Sequence, residues 1–316
     1  MDEKKALNEY DRETEERDTE SFRSGFVALI GRPNVGKSTL MNHILNMKLA
    51  ITSRKPQTTR KKMMTVYTEE RGQLIFLDTP GIHKAKTTLG EYMDKAAIGT
   101  INDADCVLWL VEPDVFIGEG EKAIAELLKK SGVPVILAIN KTDTVKDSRI
   151  PPVIEAYSKL FNFEKIIPIS AKHSTGKDEL LSAIFKLIPV GEPFYDEDTV
   201  TDETERDIVA ELIREQILRN LSDEIPHGTA VEIDSMKEKP SCTFIDATIF
   251  CEKNSHKGMI IGAKGQMLKK IGTGARIEAE KLLDKKVTLK LWVKVKKDWR
   301  NDEKGIRAFG YDLRKL

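Results

Sequence analysis

From residue 25 the chain alternates short apolar runs with amphipathic stretches. The runs 25–30, 73–78, 105–111, 133–139 and 165–169 are short and rich in Val, Ile and Leu, the pattern of strands buried on both faces. The stretches 37–46, 119–131 and 177–187 carry apolar residues at helical spacing. Strand followed by helix, repeated, predicts parallel βαβ units with right-handed crossovers and ligands at the carboxyl ends of the strands. A smaller pattern follows: a helix over 203–220, strands over 229–236 and 243–252, a helix over 266–283 and a strand over 287–296. The fold class expected is therefore an α/β domain over 25–188, a mainly parallel sheet with helices on both faces. An α+β domain follows over 205–298. Residues 189–204 hold two prolines, a glycine and an acidic run and read as a linker. The densely charged residues 1–24 are expected to be disordered, and 299–316 form a basic tail. There is no internal repeat.

Length changes this picture little, since 316 residues fit two domains. Charge changes it more. The net charge of zero divides into −11 over residues 1–252 and +11 over 253–316. A basic end on a neutral chain suggests a polyanionic partner, against the plainer reading of a solvated lysine-rich face. Cys106, Cys242 and Cys251 lack CxxC spacing and read as small core hydrophobes. No apolar run approaches the roughly 20 residues of a membrane span, and no signal-peptide or lipidation pattern is present. A cytoplasmic protein is expected.

Gly31-Arg32-Pro33-Asn34-Val35-Gly36-Lys37-Ser38 fits GxxxxGK[ST] between an expected strand and an expected helix, with Thr39 continuing the helix. In that context backbone N–H groups and the helix dipole converge on phosphate oxygens. Lys37 is expected on the β- and γ-phosphates and Ser38 on Mg²⁺. Asp78-Thr79-Pro80-Gly81 ends the second apolar run, placing a carboxylate to hold Mg²⁺ through water and the Gly81 N–H near the γ-phosphate. Asn140-Lys141-Thr142-Asp143 follows the fourth run. Asp143 can accept from N1–H and the amine of guanine, which adenine does not offer, so GTP is selected over ATP. Asn140 would tie loops together, the Lys141 stem would cover the base, and Ser170-Ala171-Lys172 would offer an N–H to guanine O6. Between the first two motifs lies Gln57-Thr58-Thr59-Arg60 in a basic loop. One of Thr58 and Thr59 is expected at the metal or γ-phosphate, with Thr59 preferred.

These residues resemble the Era-like branch of the translation-factor-class GTPases, a resemblance covering nearly the whole chain from about residue 25. It extends to Lys257 and to Gly262-Ala263-Lys264-Gly265, which look like the GxxG loop of a type II KH domain. Such loops clamp about four nucleotides. Lys257, Lys264, Lys269, Lys270 and Arg276 surround the loop and are the expected RNA contacts. The tail around Trp299, Arg300 and Arg307 is either a further RNA contact or a packed tail. The resemblance implies GTP hydrolysis to GDP, binding near the 3′ end of 16S ribosomal RNA and a role in small-subunit assembly. It also implies loose peripheral contact with the inner face of the cell membrane, and a monomer is expected. Ile82 stands where Ras-like proteins carry a water-orienting glutamine, a replacement this branch shares. Asn34 matches an asparagine that holds potassium in relatives. The charged extension is longer than the family's. The rival reading is a signalling GTPase whose basic domain binds anionic membrane or a protein.

Overall fold

Four of the five apolar runs become the inner strands of a six-stranded sheet with helices packed on its two faces, and the fifth, at 165–168, becomes an edge strand. The computed structural model describes residues 22–53, 55, 58–81, 87–222, 224–312 and 314. Most of the expected disordered extension, and Ile82, lie outside the described residues. In chain order the first domain runs β1 (Arg23–Ile30), α1 (Lys37–Ile44), β2 (Met63–Glu69), β3 (Gly72–Asp78), α2 (Thr88–Asn102), β4 (Cys106–Val111), α3 (Glu119–Ser131), β5 (Val135–Ile139), α4 (Ile150–Leu160), β6 (Lys165–Pro168) and α5 (Lys177–Leu187). The sheet order is β2-β3-β1-β4-β5-β6, antiparallel only at the β2 edge.

Strand alternation sends Val27, Leu29, Leu74 and Phe76 to one face, against Leu40, Met41 and Ile44 of α1 and Leu180 and Ile184 of α5. Ala28, Ile30, Val107 and Trp109 go to the other, against α2, α3 and α4. The register aligns Leu29 with Asp78, Ile30 with Trp109 and Val111 with Ile139. The carboxyl ends of these strands thus form one rim, and every nucleotide motif begins there.

The segment 189–204, between the two domains, lies along the first as a strap. Buried Gln73 accepts from the N–H groups of Phe194 and Tyr195 at 2.9 and 3.0 Å and donates to Tyr195 O. Val66 N–H donates to Val200 O and Thr201 hydroxyl to Met64 O. The strap covers the open edge of β2, where unpaired backbone would otherwise face water.

The second domain runs α6 (Glu205–Asn220), β7 (Ala230–Lys239), β8 (Cys242–Cys251), α7 (Asn254–Ile261), α8 (Gln266–Leu283) and β9 (Lys286–Val295). Thr204 caps α6 by accepting from Asp207 N–H. The sheet order is β7-β8-β9, with β7 and β8 antiparallel and β8 and β9 parallel. One sheet face and the three helices close over Ile213, Ile217, Ile245, Ile249, Ile260 and Ile271. The tail is packed. Trp299 is buried and its indole donates to Gly228 O at 3.0 Å, while Arg300 pairs with Glu252. A short helix α9 (Glu303–Ala308) brings Ile306 and Tyr311 against Leu89, Tyr92 and Met93 of α2, joining the two domains. Cys106 and Cys251 are buried as expected, and Cys242 is half-buried.

Candidate nucleotide and RNA sites

The phosphate loop is shaped by two glycines that nothing else could replace. Gly31 has φ +150 and a Cβ there would lie 2.4 Å from Leu110 O; at Gly36, φ +105, it would lie 2.2 Å from Asn140 Nδ2. Asn34 adopts the left-handed conformation at the loop's exposed turn. Lys37 opens α1, is buried, and donates to Gly31 O at 2.9 Å and Arg32 O at 3.3 Å. Burial pushes its ammonium below the usual range, with Asp78 opposing. Arg32 pairs with Glu121 at 3.0 Å on the outer side of the loop.

Three oxygen donors meet beside Lys37. Ser38 Oγ lies 3.2 Å from Thr59 Oγ1, and both hydroxyls donate to Asp78 Oδ2 at 3.4 Å. Asp78 is fully buried and its Oδ1 has no hydrogen-bond partner. Burial pushes its carboxyl up to about 6, against Lys37 and the two hydroxyls. A buried carboxylate with a bare oxygen, two hydroxyls and a lysine is a donor set that fits a hard divalent cation such as Mg²⁺. Of the two threonines, Thr59 joins this cluster, whereas Thr58 Oγ1 donates away to Lys55 O at 2.8 Å. Thr79 anchors the second motif through its hydroxyl to Leu29 O at 2.9 Å. Gly81 sits so close to Pro33 that a Cβ would come within 2.9 Å. Pro80 is buried between them.

The base end is tied to the phosphate end by one side chain. Buried Asn140 donates to Val35 O at 2.7 Å and accepts from Ala171 N–H at 2.8 Å. Asp143 accepts from the Ser170 hydroxyl at 2.7 Å, and that bond holds its carboxylate below the usual range. Lys141 is in the left-handed conformation and pairs with Glu112. The cavity of about 970 Å³ between these groups is lined by the phosphate loop, Thr58, Thr59, Gly81, Asn140, Lys141, Asp143, Ala171 and Lys172.

The second candidate site is open. Gly262 (φ +72, ψ 175), Lys264 (φ +49) and Gly265 (φ +77) turn the chain between α7 and α8. A Cβ on Gly262 would lie 2.7 Å from Met267 Cβ, whereas at Gly265 it would meet nothing within 4 Å. Gly262 is therefore required by packing, and Gly265 by conformation with a free face outward. Ala263, Lys264, Lys269 and Lys270 are exposed and Lys257 is half-buried. Arg276 is engaged by Glu280 at 2.8 Å and stands apart from the tip.

Residues 26–141 match the family described as 50S ribosome-binding GTPase, and residues 224–300 match the KH domain family. GTPase Era of Ruminiclostridium cellulolyticum is 51% identical over 93% of this chain and 99% of its own. GTPase Era of Lactobacillus helveticus is 50% identical over 93% and 98%. The chain belongs to the GTPase Era family. Among solved structures, Era in complex with MgGDPNP and nucleotides 1506–1542 of 16S ribosomal RNA matches with TM-score 0.89 at 38% identity, covering 92% of this chain and all of that one. An Aquifex aeolicus Era variant bound to GDP and AlF4⁻ matches with TM-score 0.88 over the same shares.

This Era family member therefore binds guanine nucleotide and hydrolyses GTP to GDP. Its structure adds residues that the motifs did not reveal. Leu218 and Arg219 of α6, in the KH unit, line the nucleotide cavity. Arg214 of α6 donates to Thr58 O, and buried Arg60 donates to Thr229 O, His227 O and Pro226 O at 2.7, 2.9 and 3.2 Å. Glu215 accepts from Thr52 N–H and pairs with Lys48, both at 2.9 Å. Leu49 and Ile51 are buried in the KH core cluster. The loop that carries Thr59 is thus bolted on both sides to the KH unit. A basic loop was visible in the sequence, but nothing local marked Arg60 as buried.

Proposed function

We propose that this GTPase is a nucleotide-controlled RNA clamp acting on the 3′ region of 16S ribosomal RNA during assembly of the small ribosomal subunit. The observation that carries this reading is the bolted loop. Thr59, beside Ser38 and Asp78, is flanked by Thr58 O on Arg214 and by Arg60 on three KH carbonyls. A change in what Thr59 holds is delivered to the RNA-binding unit within one residue. The rRNA target rests on the solved relative that holds a 16S fragment. The reading puts the protein's work in the cytoplasm, where ribosomal subunits are assembled. The rival membrane-binding role is not favoured, because the basic residues surround a KH loop. No helix among the described residues is long and apolar enough to cross a membrane.

Hydrolysis at such a site is mainly positioning and electrostatics. Lys37 would leave Gly31 O and Arg32 O for the β- and γ-phosphate oxygens and, with the loop N–H groups, hold the charge that develops there. Ser38 and Thr59, with Asp78 behind them, would hold Mg²⁺, which supplies positive charge to the same oxygens. Gly81 N–H would approach the γ-phosphate. Asn34, exposed on the loop in its left-handed conformation, is the residue that would carry potassium. Turnover faster in KCl than in matched NaCl, lost in Asn34→Ala, is the outcome expected, and equal rates would remove potassium from the account.

Crosslinking in lysate, with sequencing of the attached RNA, tests the target. Crosslinks at the 3′ end of small-subunit rRNA that differ between GDP and a non-hydrolysable GTP analogue are expected. Crosslinks confined to other RNAs would contradict the assembly role.

A further inference from the structure

The KH sheet has a second face, opposite its helices, that the nucleotide and GxxG sites do not use. Along β9, Val287, Leu289, Leu291, Val293 and Val295 turn toward the core. The alternate positions Lys290, Trp292 and Lys294 turn outward. Trp292 is 59% exposed and Phe244, on the same face of β8, is 39% exposed. The register sets Thr288 beside Phe244, Phe244 beside Lys237 and Lys290 beside Asp246. Lys239 Nζ lies 5.0 Å from the Phe244 ring centre. Two acidic groups on this face are engaged: Asp246 accepts from Ser235 at 3.0 Å and Asp234 from Thr248 at 2.8 Å. The tail covers one end of the face, packing Phe309 against Phe250 with tilted rings 5.0 Å apart, and leaves Phe244 and Trp292 exposed.

Single exposed apolar residues are ordinary on a protein surface. An open tryptophan flanked by lysines two residues away on each side, with a second aromatic and two more lysines on the neighbouring strands, is a more specific arrangement. Flat rings offer a stacking surface to any base, and the interleaved ammonium groups match the phosphate spacing between bases. We propose that this face is a second RNA contact, a stacking platform for single-stranded RNA that continues beyond the GxxG loop. The proposal rests on the RNA-binding reading above and extends it. A KH loop grips only about four nucleotides, so the rest of a longer strand must lie elsewhere. β9 is the edge strand of the sheet and packs on α7 and α8. A strand leaving the loop therefore passes this edge to reach Trp292.

The test compares two RNAs on the full chain, one of about six nucleotides that fills only the loop groove and one of about twenty. Trp109 and Trp299 are buried, so exposed tryptophan fluorescence reports Trp292. The longer RNA should quench that emission and the shorter one should not. Trp292→Ala should weaken the longer RNA by about tenfold and leave the shorter unchanged, while Trp292→Phe should restore most of the affinity. Lys290→Gln with Lys294→Gln should shallow the salt dependence for the longer RNA by roughly two counterions. The longer RNA binding without quenching, and equally well to Trp292→Ala, would overturn the platform. So would a Trp292→Ala effect confined to self-association, which would make the face a contact for a second copy. A parent that binds neither RNA would instead sink the RNA-binding reading itself, and the platform with it.

Discussion

The nucleotide site and the KH loop both receive phosphates, yet they are built in opposite ways. Around the nucleotide cavity, Lys37, Asp78, Asn140 and Thr79 are buried and each is held by partners on β1, on the phosphate loop and helix that follow it, or on the loop of Thr59. Around the KH loop, Lys264, Lys269 and Lys270 stand in solvent, and the only enforced geometry is the turn through Gly262 and Gly265. Chemistry on a phosphoryl group needs fixed charges in a dry place, where they are strong. Gripping a polymer backbone needs only close approach and a number of mobile cations. Substitutions in the first site should therefore act steeply and through geometry. In the second they should act gradually and through charge, except at the glycines.

The largest effect is expected at the base. Asp143→Asn replaces a carboxylate that accepts two hydrogen bonds from guanine by a group that presents a donor to the amine. GTP affinity should fall about a thousandfold while XTP affinity rises, measured by competition with a labelled nucleotide. A variant still preferring GTP would show that this loop does not choose the base.

The two KH glycines should separate from each other. Gly265→Asp places a carboxylate in open space facing the RNA. It should lower RNA affinity at least about tenfold, with GTP turnover near the parent's. Gly262→Ala meets Met267 and a backbone conformation that L residues rarely adopt, so its melting temperature should drop by an amount worth about 1–3 kcal/mol. If Gly265→Asp bound RNA normally while remaining folded, the loop would not be the RNA site. Smaller still, Lys264→Ala and Lys269→Ala should each reduce the slope of log affinity against log salt by roughly one.

The smallest effect lies at Glu203, where the strap leads into α6. Burial pushes Glu203 up to about 7, with Lys61 opposing. A carboxyl whose pKa is raised by folding favours the folded state below its unfolded pKa near 4.5, and that contribution is lost as pH rises through about 7. Glu203→Gln keeps the neutral form at every pH. Its melting temperature should exceed the parent's at pH 8, by a gap that shrinks as pH falls through 7 and closes only below about pH 4; a constant gap would exclude titration of Glu203 as the cause.

The inner strands β1, β3, β4 and β5 could be read from the chain because strands covered on both faces are written as unbroken apolar runs, and the far edge strand β6 because Ile166 and Ile167 keep a short apolar run. β2 escaped because an edge strand reading Met-Met-Thr-Val-Tyr-Thr-Glu has mixed polarity. α2 escaped because Gly90, Ala96, Ala97 and Gly99 blur its apolar stripe, and α4 because it opens on two prolines. The guanine and phosphate motifs were legible because each is contiguous. The link between the sites was not. Arg60, Arg214 and Glu215 look like ordinary charged residues until tertiary packing buries them against partners far away in the chain. The packing of 189–204 along β2 was not legible for the same reason: Gln73, which holds it, is a single polar residue in an apolar run.

The central claim is that the loop carrying Thr59 transmits the nucleotide state to the KH unit through Arg60. The most direct measurement is RNA affinity with GDP and with a non-hydrolysable GTP analogue, for the parent and for Arg60→Ala. The parent should show two affinities differing by about fivefold or more. Arg60→Ala, still binding both nucleotides, should bring the two together. A parent with one affinity in both states, or a variant that keeps the full difference, would contradict the claim.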